Sequence, residues 1–437
     1  MPLQLSKLLR PFEDFFKSQV SGGLVLIAAT GVALLLANSP FSDAVHHFWD
    51  LELTLGFDGF GLRQSLHHWI NDGLMAIFFF VVGLELKREF LTGELQNPKK
   101  AMLPIAGALG GMLVPALIFF LFNPEGAPSR GWGIPMATDI AFALGVIALL
   151  GDRISRPLAI FLTALAIVDD LGAVLVIALF YTGDINLGAL ALAALFLIML
   201  IVGNRLVFQH PNFYALVGFA LWVALLKSGI HASVAGVLIG ATIPIRPRHS
   251  HDEFVARSEQ LLNRYREVEA IEGPLHTGER LGTLLALEHV CHDSMSPLQR
   301  MEHEMHGWII FGVMPIFALA NAGISLTLAD LAQSLASPVT HGVALGLLLG
   351  KPLGILLFAW GAVRIGLCDL PHGSRWPDIF GMGLLAGIGF TMSMFITNLA
   401  FTNAAFATHA KVGIFAASLL AGIVGYLFLM SRPQRMD

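Results

Sequence analysis

The sequence predicts an all-α polytopic membrane protein of twelve transmembrane helices with one short outer β-hairpin. Three observations lead there. Of its 437 residues, 55% are hydrophobic and only 13% charged, where a soluble domain carries roughly 25% charged residues. The mean hydropathy is +0.72, and apolar runs of membrane-crossing length recur along the whole chain. Forty-five glycines suit closely packed membrane helices. The net charge of −5 argues against a nucleic-acid partner. Cys291 and Cys368 are too few and too far apart for a disulfide framework.

The spans fall at about 22–38, 67–86, 101–122, 134–150, 157–181, 187–203, 211–226, 229–245, 307–325, 340–363, 378–401 and 409–430. Before them, residues 1–20 are polar and hold three basic residues, as expected of a retained cytoplasmic leader rather than a cleaved signal. With both termini inside, 21 of the 26 Lys and Arg lie on the cytoplasmic side. Four lie outside (Arg63, Arg130, Lys227, Lys411), and Lys351 falls within a span. That asymmetry orients the chain with both termini in the cytoplasm.

In chain order, the outer loop at 45–64 contains Leu51-Glu52-Leu53-Thr54-Leu55 followed by Asp58-Gly59, an alternation and turn that predict a hairpin. Its edge strand is suited to pairing with a second subunit; the alternative is a loop lying on the membrane surface. The second span opens with Trp69-Ile70-Asn71-Asp72, where Asp72 is read as a structural cap. It ends in Glu85-Leu86-Lys87-Arg88-Glu89 at the cytoplasmic mouth. The fourth run is interrupted: Gly133-Ile134-Pro135, then Ala137-Thr138-Asp139, then an apolar stretch to Leu150. Thr138 and Asp139 read as the cap of a helix that starts inside the membrane. Backbone freed at that depth must line a cavity.

The fifth span carries Asp169-Asp170 near the bilayer midplane. A charge there costs at least ~2.5–3.5 kcal/mol, and a buried carboxylate lowers that cost by holding a proton or a cation. His231 sits in a tight outer turn between spans seven and eight. Residues 246–306 form an extended cytoplasmic loop with amphipathic stretches near Phe254–Ile271 and Leu281–His289. Its histidines, including His289 and His292, match no metal-ligand spacing, so a surface helix pair is expected. The tenth span places Lys351 mid-membrane, where it needs a carboxylate partner. The eleventh carries Gly387-Ile388-Gly389-Phe390-Thr391-Met392-Ser393, a stretch able to unwind a helix. Spans 3–5 and 10–12 thus correspond as inverted repeats, with broken helices 4 and 11 meeting at the midplane.

With Trp69–Asp72, Ala137–Gly145, Ala166–Gly172, Leu226–Ala232, Phe317–Gly323, Gly350–Gly354 and Gly387–Ser393 in this order, the chain resembles the NhaA family of bacterial Na⁺/H⁺ antiporters over nearly its whole length as a single domain (1–437). The resemblance implies a multi-pass protein of the bacterial inner membrane that exchanges Na⁺ or Li⁺ for H⁺, is regulated by pH and acts without a resident cofactor. It implies that Asp169, Asp170 and Thr138 hold the cation and protons, with Na⁺ at the two aspartates. Asp139 and Lys351 balance the half-helix ends where spans four and eleven cross, with Gly387, Gly389 and Thr391 shaping that crossing. Glu85, Arg88, Glu89, His231 and Glu302 are implied in the pH response, and the 51–63 hairpin in a homodimer. Two departures stand out: Gln299 replaces a lysine of some members, and the loop at 247–298 is longer than in compact ones.

The expected scheme is competition of cation and protons for one site. About two protons per cation would make exchange electrogenic, worth ~2.3 kcal/mol per charge per 100 mV. A cation channel is the first alternative, but no selectivity-filter motif is present. An intramembrane aspartyl protease is the second. It needs aspartates facing each other from two helices, a pair that Asp139 and Asp170 could formally make.

Overall fold

Apolar runs too long for a soluble core become helices because lipid leaves every backbone N–H and C=O to be satisfied within the segment. The computed structural model describes residues 19–55, 62–206, 208, 210–267, 278–324 and 327–432. The expected leader through residue 18, the turn at Asp58-Gly59 and residues 268–277 lie outside the described residues.

The first run forms α1 (Gln19–Ala37), which turns through 116° into a short amphipathic helix, α2 (Ser42–Trp49). The hairpin follows: β1 (Glu52–Leu55) and β2 (Leu62–Ser65) pair antiparallel, Glu52 opposite Ser65 and Leu55 opposite Leu62. The face of the bundle bearing it is called the hairpin face. From there α3 (Leu66–Thr92) crosses, α4 (Pro98–Phe122) returns, and the interrupted fourth run leads to α5 (Ile140–Leu150). Then come α6 (Arg156–Phe180), α7 (Leu187–Arg205), α8 (Pro211–Ser228) and α9 (Ser233–Thr242).

On the opposite face, the loop face, α10 (His251–Glu267) and α11 (Gly278–Ser294) form the expected helix pair. The chain re-enters through α12 (Pro297–Trp308) and α13 (Met314–Asn321). After α14 (Leu328–Ala336) come α15 (Pro338–Arg364), the broken pair α16 (Trp376–Ala386) and α17 (Phe390–Ala400), and α18 (Ala404–Met430).

Each of the twelve runs therefore holds helix. Among the described residues, eight helices qualify as spans by length and composition, and counting each bent pair as one span gives ten. The other two runs hold α9, only ten residues long, and the α12–α13 stretch, whose first half is polar. Within the bundle, α4 and α15 pack backbone against backbone, because a Cβ on Gly110 or Gly354 would collide with the other's carbonyl. Conversely, α7 shows most of its surface outward from the bundle.

Candidate functional site

The fourth run cannot stay helical: Pro135 lacks an N–H, and a 3₁₀ segment Ala127–Met136 gives way to extended Ala137. Asp139 then caps α5, its Oδ1 accepting from Phe142 N at 3.1 Å. The eleventh run breaks at Gly387–Gly389, with a 51° bend between α16 and α17. The glycines here provide close approach and not unusual dihedrals. A Cβ on Gly387 would lie 2.6 Å from the Leu347 carbonyl oxygen.

The two breaks cross and bond to each other. Asp139 N donates to Ile388 O at 2.7 Å. Asp139 Oδ2 accepts from Thr391 N at 3.1 Å and from Thr391 Oγ1 at 2.5 Å. One carboxylate thus serves the N-termini of α5 and α17, where exposed N–H groups make a positive end. Ser393 Oγ donates to Ile134 O at 2.8 Å, a second tie across the crossing.

Thr138 Oγ1 lies 2.7 Å from Asp169 Oδ2 and 2.9 Å from Ala386 O, so its one proton is shared between them. Lys351 Nζ reaches Asp169 Oδ2 at 2.5 Å and also donates to the Met136 carbonyl. Lys351 thereby sits at the carbonyl end of the 3₁₀ segment, opposite in sign to the N-termini that Asp139 serves. Thr138, Asp139, Asp170 and Lys351 are fully buried and Asp169 nearly so. Asp169 Oδ1 and both oxygens of Asp170 have no hydrogen-bond partner. Three hard carboxylate oxygens of two neighbouring aspartates thus stand unsatisfied in the buried centre, a donor set suited to a small alkali cation or to protons. Asp139 is committed to two helix ends.

The residues implied in the pH response separate into two groups. Arg88 bonds Glu302 of α12 and Glu89 Oε1, the latter at 3.0 Å, on the loop face with Glu85 nearby. Burial pushes the Glu302 carboxyl above its ordinary range, and Arg88 opposes this. His231 is instead on the hairpin face, 3.4 Å from Asp72, with Ser233 Oγ at 2.8 Å from its Nδ1. Asp72 does not cap α3, as the sequence suggested. Ser65 does, and Asp72 lies inside a π turn (Trp69–Leu74), paired to His68 at 2.8 Å. A cavity of about 410 Å³ opens on the loop face between α3, α4 and α6, lined by Glu89, Lys100 and Thr163 among others.

The sequence missed the carbonyls of Met136 and Ala386, since whether a carbonyl is free depends on where a helix breaks. It also missed Asn398, whose partners lie on other helices.

The family model described as Na⁺/H⁺ antiporter 1 matches residues 13–429. A protein of Syntrophotalea carbinolica named Na(+)/H(+) antiporter NhaA 2 is 65% identical over 435 residues, 100% of this chain and 99% of its own. Na(+)/H(+) antiporter NhaA of Acidithiobacillus ferrooxidans is 50% identical over 432 residues, 98% of this chain and 99% of its own. A solved sodium proton antiporter from Methanocaldococcus jannaschii is 13% identical with a TM-score of 0.48, covering 94% of this chain and 92% of that one. With its helical spans, its broken pair and a match along nearly the whole chain, this multi-pass membrane protein belongs to the Na⁺/H⁺ antiporter 1 family.

Proposed function

We propose that the chain exchanges Na⁺ or Li⁺ for H⁺ across a bacterial inner membrane, both termini cytoplasmic, with about two protons per cation. The reading rests on one observation: the partnerless, fully buried carboxylate of Asp170 next to the Lys351–Asp169 pair.

A cation entering from the loop face takes oxygens of Asp170, Asp169 and Thr138. Its charge competes with Lys351 for Asp169, so the pair loosens as the ion binds. Protons arriving from the other face restore the pair or neutralise the carboxylates, and the cation leaves. Asp139 and Lys351 hold the crossed half-helix ends throughout, each matched in sign to the ends it meets. Two protons against one cation move net charge, so the membrane potential drives export. The loop-face group of Glu85, Arg88, Glu89 and Glu302 sets the pH response, with His231 acting from the hairpin face. Two copies assemble through the 51–63 hairpin.

The test is Na⁺-driven proton movement in proteoliposomes, read against pH with and without an imposed potential. Parent chain is expected to exchange faster when the potential favours net charge movement. Asp170→Asn is expected to abolish exchange while the folded protein is retained on size exclusion. Normal exchange in that variant would overturn the assignment.

A further inference from the structure

We propose that Asn398, Asn321 and Asn71 form the gate that closes the hairpin-face route to the crossing, with Asn398 at its hub. This rests on the exchange reading above.

The three amides come from α17, α13 and α3. Asn321 Nδ2 donates to Phe317 O of its own helix at 2.9 Å, and Asn71 Nδ2 donates to His67 O of its own helix at 2.9 Å. Each tie turns an Oδ1 acceptor inward. Asn398 Nδ2 supplies the donors, reaching Asn321 Oδ1 at 2.5 Å and Asn71 Oδ1 at 3.3 Å. One NH₂ group has two protons, so a single side chain satisfies both helices. His67 Nε2 adds a further contact, 3.1 Å from Asn321 Oδ1. Asn321 is fully buried and Asn71 nearly so.

An aromatic layer lies beside these amides on the same helices. The Phe395 ring packs 5.6 Å from Phe79 of α3, 6.3 Å from Phe317 of α13 and 5.5 Å from His231. The three phenylalanines are fully buried. The aromatic layer excludes water, and the amide layer fixes one alignment of the three helices.

The amides are also cheap to part. A neutral hydrogen bond is worth little net against water, which supplies replacement partners once the helices separate. Asn398 is seven residues beyond Thr391, ~10 Å along α17 and on the same face. Thr391 is bonded to Asp139 at the crossing. Any displacement of α17 that admits an ion from the hairpin face therefore parts the Asn398 bonds, while the loop-face cavity beside Thr163 is already open.

The gate is tested by access. The reporter is Thr397→Cys in a chain carrying Cys291→Ser and Cys368→Ser; Thr397 is fully buried. A membrane-impermeant thiol reagent is applied to the hairpin face in right-side-out vesicles. Asn398→Ala is expected to raise the labelling rate by about ten-fold or more, and Asn71→Ala by less. Unchanged labelling in both overturns the gate.

In proteoliposomes, Asn398→Cys with Asn321→Cys, bridged by a short bifunctional thiosulfonate, is expected to stop exchange, and reductant to restore it. Exchange by the bridged protein at the reduced protein's rate also overturns the gate. If the unbridged parent chain itself exchanges nothing, the transport reading fails, and the labelling result still judges the gate.

Discussion

Asp169 and Asp170 are neighbours on one helix, yet one is locked to Lys351 and Thr138 while the other is bonded to nothing. Adjacent helical residues point about 100° apart, so a single turn presents one carboxylate to each environment. Removing one member of a buried pair typically costs ~3–5 kcal/mol, because the other charge is left unpaired. Lys351→Met is therefore expected to lower the unfolding temperature in detergent. Adding Asp169→Asn is expected to recover part of that loss, and strictly additive losses would show that the pair is not coupled.

Glu302 tests pH sensing. Its carboxyl is pushed up by burial, so its contribution to folded stability is complete below its unfolded pKa and is lost as pH rises through the folded value. On that rise Arg88 holds the ionised carboxylate more tightly, while burial and Glu89 oppose the new charge. Glu302→Gln stays neutral throughout and is expected to move the alkaline activation limb of exchange to higher pH. An unmoved limb in proteoliposomes would exclude Glu302 from the response. The acidic and basic side chains of the site were legible in the sequence because each interrupts an apolar run.

The elements that matter most are the broken ones. Pro135 and the Gly387–Gly389 stretch signalled the breaks in the sequence, because each removes a helical hydrogen bond or the side chain that would block a close crossing. The π turns at Trp69–Leu74, Ile309–Val313 and Gly346–Gly350 were not legible. One extra residue in a turn leaves no compositional trace. The surface helix α2 was hidden as well, in a segment read only as loop.

Close helix contact gives a sharper test. Gly354→Ala would drive a methyl group into the Gly110 carbonyl, and overpacking of this kind costs ~1–3 kcal/mol. Gly361, on the same helix with open space around it, is the control. Gly361→Ala is expected to leave the unfolding temperature unchanged or raise it, since alanine is the better helix former. Equal losses in both variants would mean that the α4–α15 approach is not the tight contact described.

At the scale of the molecule, two groups of three spans each contribute one broken member to a shared centre: α4 to α6, and α15, the α16–α17 pair and α18. That correspondence was legible in the sequence, because each break is the middle member of its group and has a charged span beside it. How the other helices surround them was not, because packing partners are chosen by surfaces far apart in the chain. The hairpin has an ion pair between Arg63 and Glu52, exposed and thus worth only ~0–1 kcal/mol. Leu51 and Leu53 beside it are exposed. Deleting 52–65 is expected to turn dimers into monomers on native mass measurement, and persistent dimers would place the interface elsewhere. Finally, Asp139 meets Thr391 across 252 positions of sequence. During synthesis, its side chain therefore enters the bilayer long before that partner has been made. The nascent N-terminal half must shelter an acid without its final bonds until the last quarter of the protein emerges, a window in which a chaperone or early proteolysis would act.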